Sequence, residues 1–378
     1  MLEEAIRARE PTRDRTPIDP RILMGLGLYA TLDGMGSARE LDRRCNDEIP
    51  YLWLCGGVSV NYHTRSDFRV GHGDFLDNLL TRDVAALLSE GLVQLNRGAQ
   101  DGMRTRASAG AASYRRAATL ETCWAEAKAQ VEALRKLVEE DPGAATKRQR
   151  AARERAARER QERVEQALAR SQELQEHAGS EDTKEKGRVS TTDPEIPVMK
   201  MADGGFRPAV NVELATQTAT PIITGVEVTH RGTDQGERIA MLEQHKERYE
   251  TCPPEILVDG GFAKQDDIEK AAGPAFGATV FAPVPKPKKN AQRDRYAPLA
   301  GDSPVIAQWR QRMGTEQAQE IYKERAATAE CVNAIARNRG LRQLTVRTLN
   351  KIRAAVLWYV LGHNLMRAHY LRAMAATA

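Results

Sequence analysis

The stretch Ile256-Leu-Val-Asp-Gly-Gly-Phe262 constrains the folds open to this chain more than any other. Three apolar residues in a row read as a short buried strand. Asp259 stops it, and Gly260-Gly261 turns the chain sharply away. Ala263 to Ala272 follows as a short helix. Asp259 then stands at the C-terminal end of a central strand, where open α/β sheets place their chemistry. What matters next is which other carboxylates can reach it.

With 378 residues the chain has room for two or three domains, at roughly 100–200 residues each. A hydrophobic content of 41% supplies a core, while 29% charged residues point to long solvated surfaces. The net charge of +4, from 56 basic and 52 acidic side chains, conceals local clustering, and clustering is what a polyanion senses. Cysteines at 45, 55, 123, 252 and 331 show no paired spacing, which argues against a disulfide frame or a zinc site and for reduced thiols. No run of about eighteen apolar residues occurs, and the first residues lack an apolar signal core. A soluble cytoplasmic protein is expected.

Residues 3–9 read as helical, and Thr16-Pro-Ile-Asp-Pro20 ends that segment. Arg21 to Leu32 gives an apolar helix, and Ser37-Ala-Arg-Glu40 has the form of a capping box opening the next. Short helices with glycine-containing turns continue to residue 89 and suggest a helix-turn-helix-like bundle. In it Tyr62, His63, Arg65 and Arg69 would form a basic, aromatic face for DNA. Leu92-Val-Gln-Leu95 favours a strand, with Asp101-Gly102 at or just past its end. Small residues at 107–113 lead to Tyr114-Arg-Arg116 and a helix from about Thr119. Lys147 to Arg170 is dense in Arg, Glu, Ala and Gln. That composition suits a long exposed helix or coiled-coil-like hairpin, with its charges as a solvated face.

A polar link over 179–187 precedes alternating segments at 197–201, 209–215 and 222–229, read as a meander of strands. An amphipathic helix over 237–248 delivers the chain to the Asp259 strand. Ala278 to Ala282 is another strand, followed by a basic loop carrying Lys286, Lys288 and Lys289. The last third reads as helical: one helix begins at Ala307, one runs from Glu316 to Arg337, and one from Leu349 to Leu371.

Strand-Asp, meander, helix, strand-Asp, then a late helix bearing Glu330 is the order of an RNase H-like fold. Asp101, Asp259 and Glu330 then read as a metal-binding triad. Magnesium takes hard oxygen ligands, two such ions serve in-line displacement at phosphorus, and their charge relieves carboxylate repulsion. Taken residue by residue, Asp101-Gly102 and Asp259-Gly260 are also common turn pairs, and Glu330 an ordinary helix-surface residue. Asp193, Asp203 and Asp234 are weaker acidic candidates. His230, His363 and Cys331 read as structural.

Four segments resemble DDE transposases of bacterial insertion sequences: Tyr51-Leu-Trp-Leu-Cys-Gly-Gly-Val-Ser-Val-Asn-Tyr-His-Thr64, Gln100-Asp-Gly-Met-Arg104, Leu257-Val-Asp-Gly-Gly-Phe-Ala263 and Tyr322-Lys-Glu-Arg-Ala-Ala-Thr-Ala-Glu-Cys-Val-Asn333. The resemblance runs over nearly the whole chain, including a helical insertion after the first Asp. It implies metal-dependent DNA cleavage and strand transfer, with Asp101, Asp259 and Glu330 holding two magnesium ions that manganese can replace. It also implies Tyr322 and Arg325 as a Tyr-x-x-Arg signature near the DNA, where an arginine can grip phosphate. Arg104, Arg106, Arg115, Arg116, Lys286, Lys288 and Lys289 would line the DNA path, whose phosphate contacts are salt-dependent.

The expected fold is α+β: an RNase H-like mixed-sheet core with an N-terminal helical domain (1–90) and a coiled-coil-like insertion (119–187). The core is divided between 91–118 and 188–378. Expected partners are double-stranded DNA, as element ends and target, and further copies of the chain in a homodimer or higher oligomer; no membrane is involved. Association with the nucleoid follows when DNA is bound. Family members often carry more chain before the helical domain, and position 217 is Gln where the resemblance calls for an acid. Two other readings therefore stand beside the first: a truncated, inactive copy acting as a DNA-binding or interaction protein, and a structure-selective nuclease.

Overall fold

The computed structural model describes residues 18–58, 60–140, 146–177, 187–231, 237–287 and 293–377. The segments 3–9 and most of 179–187, along with Asp234, Lys288 and Lys289, lie outside the described residues. The chain forms two compact units. The first comprises residues 1–105, 211–345 and 350–378, and the second 106–210 and 346–349.

The first unit opens with five helices: α1 (Pro20–Leu32), α2 (Ala38–Asp47), α3 (Ile49–Cys55), α4 (Tyr62–Gly71) and α5 (Gly73–Ser89). Local chemistry sets their starts. Asp19 caps α1, with Pro20 at its first position. Ser37 Oγ accepts the Glu40 amide at 3.3 Å, as the capping-box reading requires. Asn61 accepts two amides at the head of α4.

Leu92 and Val93 do not form a strand. Their amides return to the Leu87 carbonyl, with Gly91 left-handed at φ 72°; this closes the C-terminus of α5 with an apolar contact. Val93 is buried there, so the apolar run serves a helix cap. The strand comes later, as β1 (Arg97–Arg106), and Asp101 lies at its middle instead of its end.

Beyond it come β5 (Phe206–Gln217), β6 (Ile223–Thr229), α8 (Glu237–Tyr249), β7 (Glu255–Leu257), α9 (Gln265–Ala272) and β8 (Thr279–Phe281). The strand order is β6-β5-β1-β7-β8. β1 pairs parallel with β7 and β7 with β8, whereas β5 and β6 are antiparallel. The sheet is therefore mixed and the protein α+β. Ile256, Leu257, Val258, Val280, Phe281, Trp309 and Met313 belong to one buried cluster under the parallel strands. Helices α10 (Pro304–Met313) and α11 (Glu316–Arg325) supply part of its cover.

The expected continuous helix from 316 to 337 is interrupted by a π-helical turn at Ala326–Glu330, after which α12 (Cys331–Asn338) resumes. The last helix, α13 (Leu349–Thr377), is buried over most of residues 352–364, a run apolar all round and so enclosed. Asn364, fully buried, accepts the Ile223 amide at 2.9 Å and donates to the Ile223 carbonyl at 2.8 Å. It replaces a missing strand partner at the start of β6.

The second unit holds a helical hairpin, α6 (Ala117–Glu140) and α7 (Lys147–Glu176), which pack on each other. With it stand the short ladder of β2 (Tyr114–Arg115) and β3 (Val189–Ser190) and the pairing of β4 (Val198–Lys200) with the first residues of β5. Asp193 is buried and accepts the Thr348 amide at 2.9 Å, so it is structural. Asp203 sits in an exposed turn with Arg207 at 2.8 Å.

The five cysteines are all unpaired, and among the described residues no helix is long and apolar enough to cross a membrane.

Two predictions follow from buried polar groups. Asn364→Ala leaves the Ile223 N–H and C=O unpaired, so unfolding free energy should fall by about 2–4 kcal/mol in denaturant titration; an unchanged midpoint would show that the edge is solvated. His245 is buried, with Nδ1–H donating to the Met241 carbonyl and Nε2 accepting from Thr224, both at 2.8 Å. Burial lowers its pKa from 6.5 to about 4. The unfolded chain takes up this proton below pH 6.5 and the folded chain only near pH 4. The contribution is complete above pH 6.5 and declines as pH falls to about 4, by roughly 3 kcal/mol in all. In His245→Gln that part of the pH slope should disappear.

Candidate active site

The register between β1 and β7 brings the site together. Ala99 lies opposite Leu257. Side chains alternate along a strand, so two residues further on Asp101 and Asp259 fall on the same side of neighbouring chains. Asp259 leaves the ladder and caps a 3-10 turn at Gly260–Phe262, accepting the Gly261 amide at 2.8 Å. Beneath this turn the buried Arg238 donates to the Phe262 carbonyl at 2.7 Å, and burial lowers its pKa to about 10.

Glu330 arrives on the π-helical turn. In an ordinary helix positions 325 and 330 face different ways, whereas one π turn spans five residues and stacks them. Arg325 consequently donates to Glu330 Oε1 at 3.2 Å while its other Nη lies 3.6 Å from Asp101 Oδ1. One guanidinium stands between two of the three expected acids. Asn333, buried on α12, donates to Asp101 Oδ2 at 2.9 Å.

These neighbours set the electrostatics. Burial, above all, raises the Asp101 pKa to about 6; Asp259 and Glu330 push the same way, while Arg325 and the Asn333 hydrogen bond oppose them. Burial would lower Arg325, but Tyr322, Asp101 and Asp259 outweigh it and hold the guanidinium above its usual range. Tyr322 is half-buried, and its hydroxyl is pushed up mainly by burial.

Gly102 lies next to Asp101 because there is no room for a side chain. A Cβ there would come within 2.4 Å of Glu213 Oε1. Glu213 is itself fully buried on β5 and takes a hydrogen bond from Asn211 at 2.7 Å.

Among the described residues no three His, Cys, Asp or Glu side chains already converge as a metal set. The donors nonetheless suit a hard divalent cation. They are carboxylate oxygens in mutual repulsion, and beside them the buried Asn333 Oδ1 has no hydrogen-bond partner.

The other expected site residues are distributed differently. Arg65 is 6% exposed and faces Asp42 at 3.7 Å. Arg69 donates to the Gly36 carbonyl, and burial lowers its pKa. Both point into the helical layer, which corrects the expected basic face. Tyr62 stays half-exposed under the Arg39 guanidinium. Arg104 is half-buried and Lys286 exposed. In the second unit Arg106 and Arg116 are exposed, whereas Arg115 donates to the Ala112 and Tyr114 carbonyls. Gln217 is buried and accepts from the Thr220 amide and hydroxyl.

Three supporting residues carried no assignment from sequence: Asn333, Arg238 and Arg97. Arg97 binds Glu255 at 2.6 Å and Glu324 at 2.5 Å, joining the helix that carries Tyr322 and Arg325 to both strands. Asn333 stands in the Glu330 segment and could have been flagged there; the other two had no local signal.

The site is thus acidic, with Asp101 on β1 and Asp259 just past the adjacent parallel β7, faced by the helix-borne Arg325 and by Glu330. Two family models match the chain. The Transposase DDE domain matches residues 290–369, including Tyr322, Arg325, Glu330 and Asn333, and the Transposase domain (DUF772) matches residues 1–70. No curated protein and no solved structure matches the chain. Together the two matches support a DDE transposase of insertion-sequence type.

Gly102→Ala tests the packing behind Asp101. It should lower unfolding free energy by about 1–3 kcal/mol, read as a lower denaturant midpoint. An unshifted midpoint would mean that β1 and Glu213 separate freely.

Proposed function

We propose that the chain catalyses metal-dependent DNA strand cleavage and strand transfer, with Asp101, Asp259 and Glu330 as the residues that hold the ions. The observation that carries this reading is the placement of Asp101 on β1 and Asp259 just past the parallel β7, two residues beyond the paired Ala99 and Leu257, with Arg325 joining Asp101 to Glu330. The strand order β6-β5-β1-β7-β8 supports an RNase H-like core, and the α6–α7 hairpin supports the helical insertion.

Magnesium or manganese, when bound, supplies charge that activates the attacking oxygen and stabilises the leaving one. The chain's own groups do the rest. Asp101 and Asp259 present oxygens from fixed backbone positions. Arg325, released from its carboxylates, offers a planar fork to a phosphate. Tyr322 beside it presents its hydroxyl to the same region. Water attacks first at the element's end, and the freed 3′-hydroxyl then attacks a target phosphodiester in line. The substrate is double-stranded DNA, and assembly of two or more copies on it belongs to the same reading. Arg104, Arg106, Arg116 and Lys286 are its proposed phosphate contacts.

The experiment is cleavage of a supercoiled plasmid carrying the gene's native flanking DNA, with magnesium or manganese. Asp259→Ala should reduce cutting at a defined boundary by at least roughly 100-fold, the upper range for losing even an outer contact at a metal site. Cleavage that persists unchanged in the variant rejects the triad. DNA binding with no cutting by the unaltered protein favours an inactive, DNA-binding copy.

A further inference from the structure

We propose that the first half of α7 is a separate DNA-backbone surface, built from Lys147, Arg148, Arg155 and Arg158. It rests on the transposase reading only in taking duplex DNA as the polyanion.

The charge along α7 is sharply divided. Residues 147–160 carry seven basic and two acidic side chains, and residues 161–176 carry two and four. In the middle and far parts the arginines are matched: Arg160 with Glu126 at 3.6 Å, Arg163 with Glu159 at 3.8 Å and Arg170 with Glu173 at 2.8 Å. The four basic residues named above are all exposed, and none takes part in an ion pair or hydrogen bond among the described residues. Ala157, Val164, Ala167 and Ser171 face inward. Arg148, Arg155 and Arg158 therefore fall on the outward side, given 3.6 residues per turn.

Helix stability accounts for only part of this pattern, through Glu154 and Glu159 at four-residue spacing from Arg158 and Arg155. Positive charge near a helix N-terminus opposes the macrodipole, and like charges three or four residues apart repel. The helix forms there because a capping box of Thr146 and Gln149 secures its start and alanines at 151, 152, 156 and 157 favour it. A rigid row of unmatched cations is what a polyanion would neutralise. From Arg148 to Arg158 the helix rises about 15 Å, the axial span of roughly four phosphates on one DNA strand. Without aromatic residues or amides aimed outward, the surface suits phosphates and not base edges.

The test uses the full chain and a duplex of arbitrary sequence, without divalent ions, so that binding is separated from cleavage. Binding is followed by fluorescence anisotropy across a salt series. Replacing Lys147, Arg148, Arg155 and Arg158 by Gln should weaken binding at 0.1 M salt by at least about 10-fold and flatten the log–log salt slope by about 3. The matching Arg→Lys variant should keep both, because phosphate contact needs charge; its binding and unchanged helicity by circular dichroism exclude a folding defect. Equal affinity and slope in the Gln variant overturn the proposal while leaving the cleavage reading intact. So does loss of binding to polyglutamate with duplex binding unchanged, which would assign the surface to an acidic protein. If the unaltered chain binds no duplex at all, DNA as the partner fails, and the proposal with it.

Discussion

The parallel pairing of β1 with β7 is the constraint on which the site depends. Its register sets Ala99 against Leu257, and buried Ile256, Leu257 and Val258 hold it there through contacts on the strand's apolar faces. Because side chains alternate with period two, a slip of one residue would turn Asp101 away from Asp259 and bury the wrong set. The core therefore fixes the carboxylates' neighbourhood with greater force than the carboxylates resist it. Their resistance is visible in the elevated Asp101 pKa, to which Asp259 and Glu330 both contribute.

Bringing acids together in a partly buried place requires compensation, and Arg325 provides it from another element. The π turn makes this geometry accessible, since it brings Arg325 and Glu330 to one side of the helix axis. Asn333, one turn further on, adds a hydrogen bond to Asp101. Helix and strand are thus joined by polar contacts that a divalent ion or a phosphate would rearrange. Arg97, bound to Glu255 and Glu324, keeps the same helix against the strands from the other end of β1. This division is physically sensible: an anchor that stays paired, and a second arginine whose partners are the groups expected to change.

Elsewhere in the first unit, buried polar groups act as substitutes for backbone partners. Asn364 completes the start of β6, and Arg238 supports the turn after Asp259. In the second unit the exposed Lys147, Arg148, Arg155 and Arg158 of α7 have no ion pair among the described residues.

The sequence by itself determined the α+β class, the helix starts at Asp19 and Ser37, the strand before Asp259 and the meander over β5 and β6, because caps, turns and apolar runs act over a few residues. Its motifs also pointed to the family that the two transposase-domain matches support. Only the tertiary structure decided the rest. Leu92 and Val93 look like a strand but close a helix, because the preceding turn uses their amides. Asp101 lies within a strand whose own residues are largely polar, and such a strand is specified by neighbours on both sides. Arg65 turns inward towards Asp42 at 3.7 Å, and Arg69 turns inward onto the Gly36 carbonyl, contacts with residues distant in the chain. The Arg238 support of the Phe262 turn is a contact between segments distant in the chain, and nothing local encodes it.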